Sequence, residues 1–153
     1  ADVMLIGYEP SEAEQREGVA FFGRAGAAIL ASLKRLDIDP TTIYGTLLVK
    51  CPKVDDEHTD TALSRLVVRE IAIVQPRIVM VLGERALGAL NALDVPLSRP
   101  LAWAPGEVQR FTPATEAIVV PDIHQSLDEE SAKRSFWTAF RQLKRWYDDQ
   151  PPW

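Results

Sequence analysis

The sequence contains a single cysteine in 153 residues, which rules out an internal disulfide framework and fits a reducing, cytoplasmic compartment. It has no apolar run near the roughly 20 residues that a membrane-spanning helix needs, and no signal-peptide pattern. Positive charge is scarce, because 17 Lys and Arg residues face 22 Asp and Glu residues and leave a formal net charge of −5. We therefore expect a cytoplasmic chain with no membrane partner, on which any phosphate-binding surface is a local basic rim.

Motifs of several common sites are also missing. The stretch Gly83–Gly88 follows a predicted strand, but no Lys-Ser or Lys-Thr comes after it, which excludes a P-loop. The dinucleotide fingerprint and the Gly-x-Ser-x-Gly elbow of acyl-transfer hydrolases are absent. The one Cys and two His residues lie at spacings that match no known zinc pattern. We therefore expect no metal and no cofactor.

What is present is an alternation of short apolar runs and segments of helical periodicity. Such an alternation predicts parallel strands, right-handed crossovers and helices on both faces of the sheet. We predict a three-layer α/β/α sandwich with a central four-stranded parallel sheet, as a single domain over residues 1–147 with a tail at 148–153. Because the first strand starts so close to Ala1, we also expect that the chain was trimmed or has lost an N-terminal segment. The predicted strands are Val3–Ile6, Ile43–Val49, Ile78–Leu82 and Ala117–Ile123.

Helices and loops are predicted between these strands. Apolar residues at helical spacing indicate helices that end near Leu36 and Val74, a short helix over Glu84–Leu93, and a final amphipathic helix over Ser131–Tyr147. Polar or proline-rich composition predicts loops at Lys53–Asp60 and Pro96–Pro105. In parallel sheets of this kind, ligands bind beyond the carboxyl ends of the strands. That rule selects Gly7–Ser11, Leu47–Pro52, Gly83–Arg85 and Asp122–Ser126.

The first of these strand ends opens the most informative stretch, GYEPSEAEQREGVAFFGRAG at residues 7–26. It resembles the uracil-DNA glycosylase superfamily, especially the iron–sulfur branch, whose stretch runs Gly-Glu-Ala-Pro-Gly and later Pro-Phe-Val-Gly-Arg-Ala-Gly. The residues that fall in step are Gly7, Pro10, Glu14, Gly18, Phe21, Gly23, Arg24, Ala25 and Gly26.

The resemblance continues along nearly the whole chain. Residues 121–126, PDIHQS, are similar to the second signature of the superfamily, Pro-Thr-Tyr-His-Pro-Ser. The third strand and its turn, IVMVLGERA, resemble a Leu-Gly-Arg-Thr-Ala segment, and Lys133, Trp137 and Leu143 match the closing helix. The resemblance implies the fold of this superfamily and a DNA base-excision activity, with DNA as the partner.

The family pattern also implies roles for particular residues. Phe21 takes the position of the ring that stacks on the flipped-out base, and His124 the position that stabilises the departing base anion. The resemblance also implies that the turn containing Gly7, Pro10 and Ser11 forms part of the base-binding pocket. In that pocket Tyr8 or Glu9 would hold the water molecule that attacks the sugar. The residues implied to contact DNA are Arg16, Arg24, Lys50, Lys53, Ser126 and the wedge Leu127.

The chain departs from the family pattern at several positions. Tyr8 replaces the catalytic acid or amide, and a phenol with a pKa of roughly 10 is a poor base at neutral pH. Leu47 replaces the Asn that pairs with the edge of uracil, so strict uracil specificity is not expected. Of four cluster cysteines only Cys51 remains, and Gln125 replaces the proline of His-Pro-Ser.

Two hypotheses follow. In the first, the chain is a divergent N-glycosylase that acts on a deaminated or modified base. In the second, it is a catalytically inactive member that binds a nucleotide, a nucleic acid or a protein partner. The retained glycines, Phe21 and His124 favour the first hypothesis. Tyr8, Leu47 and the lost cluster favour the second.

Overall fold

The computed structural model describes residues 2–8, 23–48, 57–122 and 129–149, and within them only the backbone of residues 23–25 and 57–65. The described helices are α1 (Gly23–Arg35), α2 (Glu57–Val74), α3 (Glu84–Asn91) and α4 (Glu130–Asp148), with a short 3-10 helix at Pro40–Thr42. The described strands are β1 (Val3–Gly7), β2 (Ile43–Leu47), β3 (Ile78–Leu82), β4 (Val108–Thr112) and β5 (Thr115–Val120). None of the helices in these ranges is long and apolar enough to cross a membrane.

These strands form one sheet in the order β2-β1-β3-β5-β4. The pairs β1–β2, β1–β3 and β3–β5 are parallel, which confirms the predicted α/β class with its four parallel strands. The sheet has a fifth strand, because β4 pairs antiparallel with β5 at the edge. β4 was not predicted, since Phe111 is its only fully buried side chain and the rest of the strand is polar or exposed.

The residues of the parallel strands alternate between two apolar cores. Val3 and Leu5 of β1 point to the side of α1 and α4, where they join Ile29, Leu33 and Phe140 in the first core cluster. Met4 and Ile6 point to the other side and join the second core cluster, which includes residues of α2 and α3 such as Ile71 and Leu90. The sheet is therefore covered by helices on both faces.

The limits of α3 and α4 lie within two residues of the predicted ones, whereas the start of α2 differs more. α2 begins at Glu57, inside the segment predicted as a loop. The prediction missed this start because the first turn of the helix is polar and shows no apolar periodicity. In α4, which runs from Glu130 to Asp148, Phe136, Phe140, Leu143 and Trp146 are buried and Tyr147 is partly buried. The Trp146 indole N–H donates to the Glu116 carboxylate at 3.3 Å, which fixes the end of α4 beside the start of β5.

Candidate functional site

The carboxyl ends of the four parallel strands meet at one edge of the sheet, as the strand-end rule predicts. Gly7 of β1 lies opposite Leu47 of β2, and the Leu48 N–H donates to the Gly7 carbonyl at 2.9 Å. On the other side of β1, the Gly83 N–H after β3 donates to the Val120 carbonyl at the end of β5, at 2.8 Å. These bonds hold the strand ends in fixed positions relative to one another.

Tyr8, the first residue after β1, is held by a cation. The Arg85 guanidinium in the first turn of α3 lies over the Tyr8 ring, 4.1 Å from its centroid. The ring also packs, partly buried, against the second core cluster. A guanidinium over an aromatic face is attracted by the ring quadrupole. This contact fixes the ring at the edge of the sheet and brings a positive charge there.

Gly83 allows a close approach between two strand ends. Its φ is +94°, a conformation that side chains rarely adopt, and a Cβ built there would lie 3.3 Å from the Asp122 Cβ and 3.5 Å from its carboxylate. The glycine therefore lets Asp122 sit against the turn before α3. This packing fixes the position of Asp122 just after the end of β5.

Leu47 lies at the same edge and is 7% exposed. Alternation along β2 places its side chain on the side of Ile43, which packs against the first core cluster beside α1. Tyr8 packs on the opposite side. The two positions are thus brought to one edge of the sheet but approach it from its two faces.

Glu70 of α2 anchors β2 just before Leu47. Its carboxylate accepts hydrogen bonds from the Tyr44 hydroxyl at 2.6 Å and from the Thr46 hydroxyl at 2.8 Å. The hydrogen bond to Glu70 raises the pKa of Tyr44 above its ordinary value, with smaller contributions from burial and from the charge of Glu70. Thr46 is 2% exposed, so this bond also satisfies a buried hydroxyl.

Of the predicted site residues, the structure therefore describes Gly7, Tyr8 and Leu47, and the backbone of Arg24 in the first turn of α1. The others lie outside the described residues and their assignments stay predictions: Glu9, Pro10, Ser11, Arg16, Phe21, Lys50, Lys53, His124, Ser126 and Leu127.

The structure adds Arg85 and Asp122, which the motifs did not single out. Both lie within strand-end segments that the topological rule selects, so a signal for them existed in the sequence. Their contacts to Tyr8 and Gly83 depend on the packing of α3 and β5.

A four-cysteine iron–sulfur cluster does not fit this chain. Such a cluster needs four thiolate ligands, and the sequence supplies one cysteine. Among the side chains that the structure describes, no group of three or more His, Cys, Asp and Glu residues could hold a metal ion. The predicted absence of a metal in the whole chain stays a prediction.

The mainly parallel sheet, covered by helices on both faces and with the carboxyl ends of its parallel strands at one edge, defines a protein of the α/β class, in which ligands bind at such an edge. The family model described as the uracil DNA glycosylase superfamily matches residues 1–144. The chain therefore belongs to the uracil-DNA glycosylase superfamily, which confirms the resemblance drawn from its motifs.

Curated relatives are similar to parts of the chain. A type-4 uracil-DNA glycosylase of Sulfurisphaera tokodaii is 34% identical over 91 residues, which is 56% of this chain and 41% of that protein. A type-4 uracil-DNA glycosylase of Thermotoga maritima is 25% identical over 134 residues, 81% of this chain and 64% of that protein. One of Pyrobaculum aerophilum is 30% identical over 96 residues, 60% of this chain and 48% of that protein. The chain thus spans about half the length of the curated relatives it matches.

Proposed function

We propose that this chain is a divergent DNA N-glycosylase that excises a deaminated or modified base. The observation that carries the proposal is the family match over residues 1–144, which includes both the Gly7 turn and the segment around His124. The similarity to three type-4 uracil-DNA glycosylases supports the same reaction class. We propose further that residues 1–147 act as one domain and that its partner is DNA.

In the proposed reaction, a nucleotide leaves the base stack and its base lies on Phe21 at the carboxyl edge of the sheet. The bond between C1′ and the base nitrogen breaks, and the base departs as an anion stabilised by His124 and by backbone N–H groups of the Gly7–Ser11 turn. A water oxygen then bonds to C1′, and the proton that it releases neutralises the departed base anion. We assign Tyr8 or Glu9 to holding this water.

The contacts of Tyr8 favour a role in holding the attacking water over a role as the base that removes a proton from it. A phenol is a poor base at neutral pH. The ring packs against the Arg85 guanidinium, 4.1 Å from its centroid, and against the second core cluster, which supports a role as a wall of the edge. Leu47 at the end of β2 makes another part of that edge apolar, which supports a base other than uracil or a broad range of bases.

An inactive binding module remains the second candidate, and the same Leu47 supports it. A glycosylase that has lost its specificity amide and its acid keeps a pocket without the groups that drive the reaction. Such a protein would bind a nucleotide or nucleic acid and release no base.

Formation of abasic sites distinguishes the two functions. Oligonucleotides that contain uracil, hypoxanthine or xanthine, in single and double strands, are incubated with the protein and cleaved with alkali. We expect strand cleavage for at least one base and its loss in His124→Ala. His58→Ala is the matched control, since His58 is the other histidine of the chain and lies in the first turn of α2. No cleavage of any substrate at high protein concentration would contradict the N-glycosylase assignment.

A further inference from the structure

A cleft lies at the edge of the sheet opposite the candidate site, where the parallel strands begin. It is bounded by the last turns of α2, the link into β3, the residues after α3 and the hairpin between β4 and β5, and it encloses about 630 Å³. Cavities of roughly 300–1,000 Å³ are typical of binding sites for small molecules and side chains. The cleft is built entirely from described residues and is separate from the candidate site.

The walls of the cleft are mainly apolar. Val68 and Ile71 of α2 face it from one side, and Val95 and Pro96 from the other. At its floor the Thr115 hydroxyl donates to the Pro76 carbonyl at 2.8 Å, so both polar groups are satisfied within the protein. A ligand in this cleft therefore gains most from burying apolar surface.

The charge of the cleft is opposite to that of the chain. Arg69 and Arg77 are the ionisable residues among those that line it, and no carboxylate lines it, although the chain as a whole carries −5. The Arg77 Nε lies 3.6 Å from the Asp2 carboxylate, which is outside the lining. Arg69 is exposed on α2. Because Asp2 compensates part of the Arg77 charge, the positive charge of the cleft lies mainly at Arg69, and the cleft is complementary to carboxylates next to an apolar group.

The apolar surface continues beyond the cleft. Leu97 follows the lining residue Pro96 and is 80% exposed, with a φ of +63° that is unfavourable for a leucine. Ile73, one helical turn from Arg69, is 81% exposed. A small molecule inside the cleft would leave both side chains in water, whereas a peptide that crosses the cleft would cover them.

From these features we infer that the cleft binds a short apolar peptide segment of a partner protein, flanked by Asp or Glu residues. A nucleic acid fits less well, because two arginines on apolar walls neutralise few phosphates. The inference does not depend on the proposed function. Because the two sites lie at opposite edges of the sheet, a partner held here leaves the carboxyl edge accessible.

Peptide selection on the whole chain tests this inference. A random peptide library displayed on phage is selected against the immobilised protein, and enriched peptides are measured by fluorescence anisotropy. We expect enriched sequences with two or more large apolar residues between Asp or Glu residues. Replacing those acids by Lys should weaken binding about tenfold or more.

Matched variants locate the binding site. Ala72→Trp fills the cleft and Arg69→Glu reverses the charge at its rim, so each should weaken binding about tenfold or more. The controls are Ala31→Trp, another exposed helical alanine on α1, and Arg134→Glu on α4, and both should keep the affinity within about twofold. Thermal melts show whether each variant is folded, and Arg69→Glu alone is sufficient if Ala72→Trp does not fold. The inference would be overturned if the selection enriched no peptide or enriched basic peptides. It would also be overturned if single-stranded DNA displaced the selected peptides, or if Arg69→Glu bound them unchanged.

Discussion

The Tyr8 ring is held from two sides, by the Arg85 guanidinium and by the second core cluster, and this packing predicts which part of the side chain matters. If the ring acts as a wall, Tyr8→Phe keeps the contact with the guanidinium and should retain base-excision activity within about threefold, with an unshifted pH profile. Tyr8→Ala and Arg85→Met remove the contact and should lower kcat/KM by about tenfold or more. The measurement is the rate of abasic-site formation across pH.

The opposite pattern would assign the hydroxyl a chemical role. A loss of about 100-fold or more in Tyr8→Phe, with a changed high-pH limb, is typical of a group that transfers a proton. Arg85→Lys separates the two effects of the arginine, because it keeps the charge but loses the planar contact with the ring.

Leu47 is the residue at which we expect base specificity to be changeable. It is buried at the end of β2, at the edge where ligands of such sheets bind. Leu47→Asn supplies an amide that can pair with a base edge, and it should raise the rate on uracil relative to hypoxanthine by about tenfold or more. Leu47→Ala is the control, since it removes volume and adds no hydrogen bond. Equal selectivity in the two variants would mean that residue 47 does not read the base.

At the scale of elements, the position of β2 depends on Glu70. This carboxylate joins α2 to two hydroxyls of the strand, one of them on the buried Thr46. Glu70→Ala should lower the free energy of unfolding by about 2 kcal/mol, because it removes two hydrogen bonds to a charged group, one of them from a buried hydroxyl. Urea denaturation measures the loss. Thr46→Val and the double variant complete a cycle, in which additive losses would contradict a direct interaction.

The same contact makes the stability of the fold depend on pH at the alkaline end. Since the pKa of Tyr44 is raised in the folded state, its contribution is fully present below the unfolded pKa of about 10 and is lost as pH rises through the folded pKa. Absorbance at alkaline pH should show one tyrosine that ionises later in the wild type than in Glu70→Ala. Identical titration curves would mean that the hydrogen bond is not formed in solution.

Comparison of the elements shows which parts of the fold the sequence specifies. β1 and β3 are buried at every position, and their apolar runs predicted them within one residue. β4 escaped prediction because it is an edge strand with one fully buried side chain, and the start of α2 because its first turn is polar. A pattern of apolar residues can locate only those segments whose side chains enter a core.

The features of the candidate site also divide into those that the sequence predicts and those that it does not. The rule that ligands bind at strand ends predicted that Gly7, Leu47 and Gly83 lie at one edge, because it depends on topology alone. The contact between Tyr8 and Arg85 could not be predicted from spacing, because it depends on how α3 packs against the second core cluster. Family motifs supplied candidate roles but no contacts.

At the scale of the whole molecule, the acidic balance limits how the chain can make the DNA contacts that we propose. With a net charge of −5, we expect the affinity to come from a local group of basic residues, for which the candidates are Arg16, Arg24, Lys50 and Lys53. If each of these four neutralises one phosphate of duplex DNA, a plot of log K against log salt concentration should have a slope of about −3 to −4.

Binding of a duplex with a tetrahydrofuran abasic-site analogue measures this slope without turnover. Lys50→Gln should reduce its magnitude by about 1. Arg145→Gln, an exposed change in the last turn of α4 near the opposite edge of the sheet, should leave the slope unchanged. A slope near zero, or equal effects of the two substitutions, would mean that the carboxyl edge does not contact the DNA backbone.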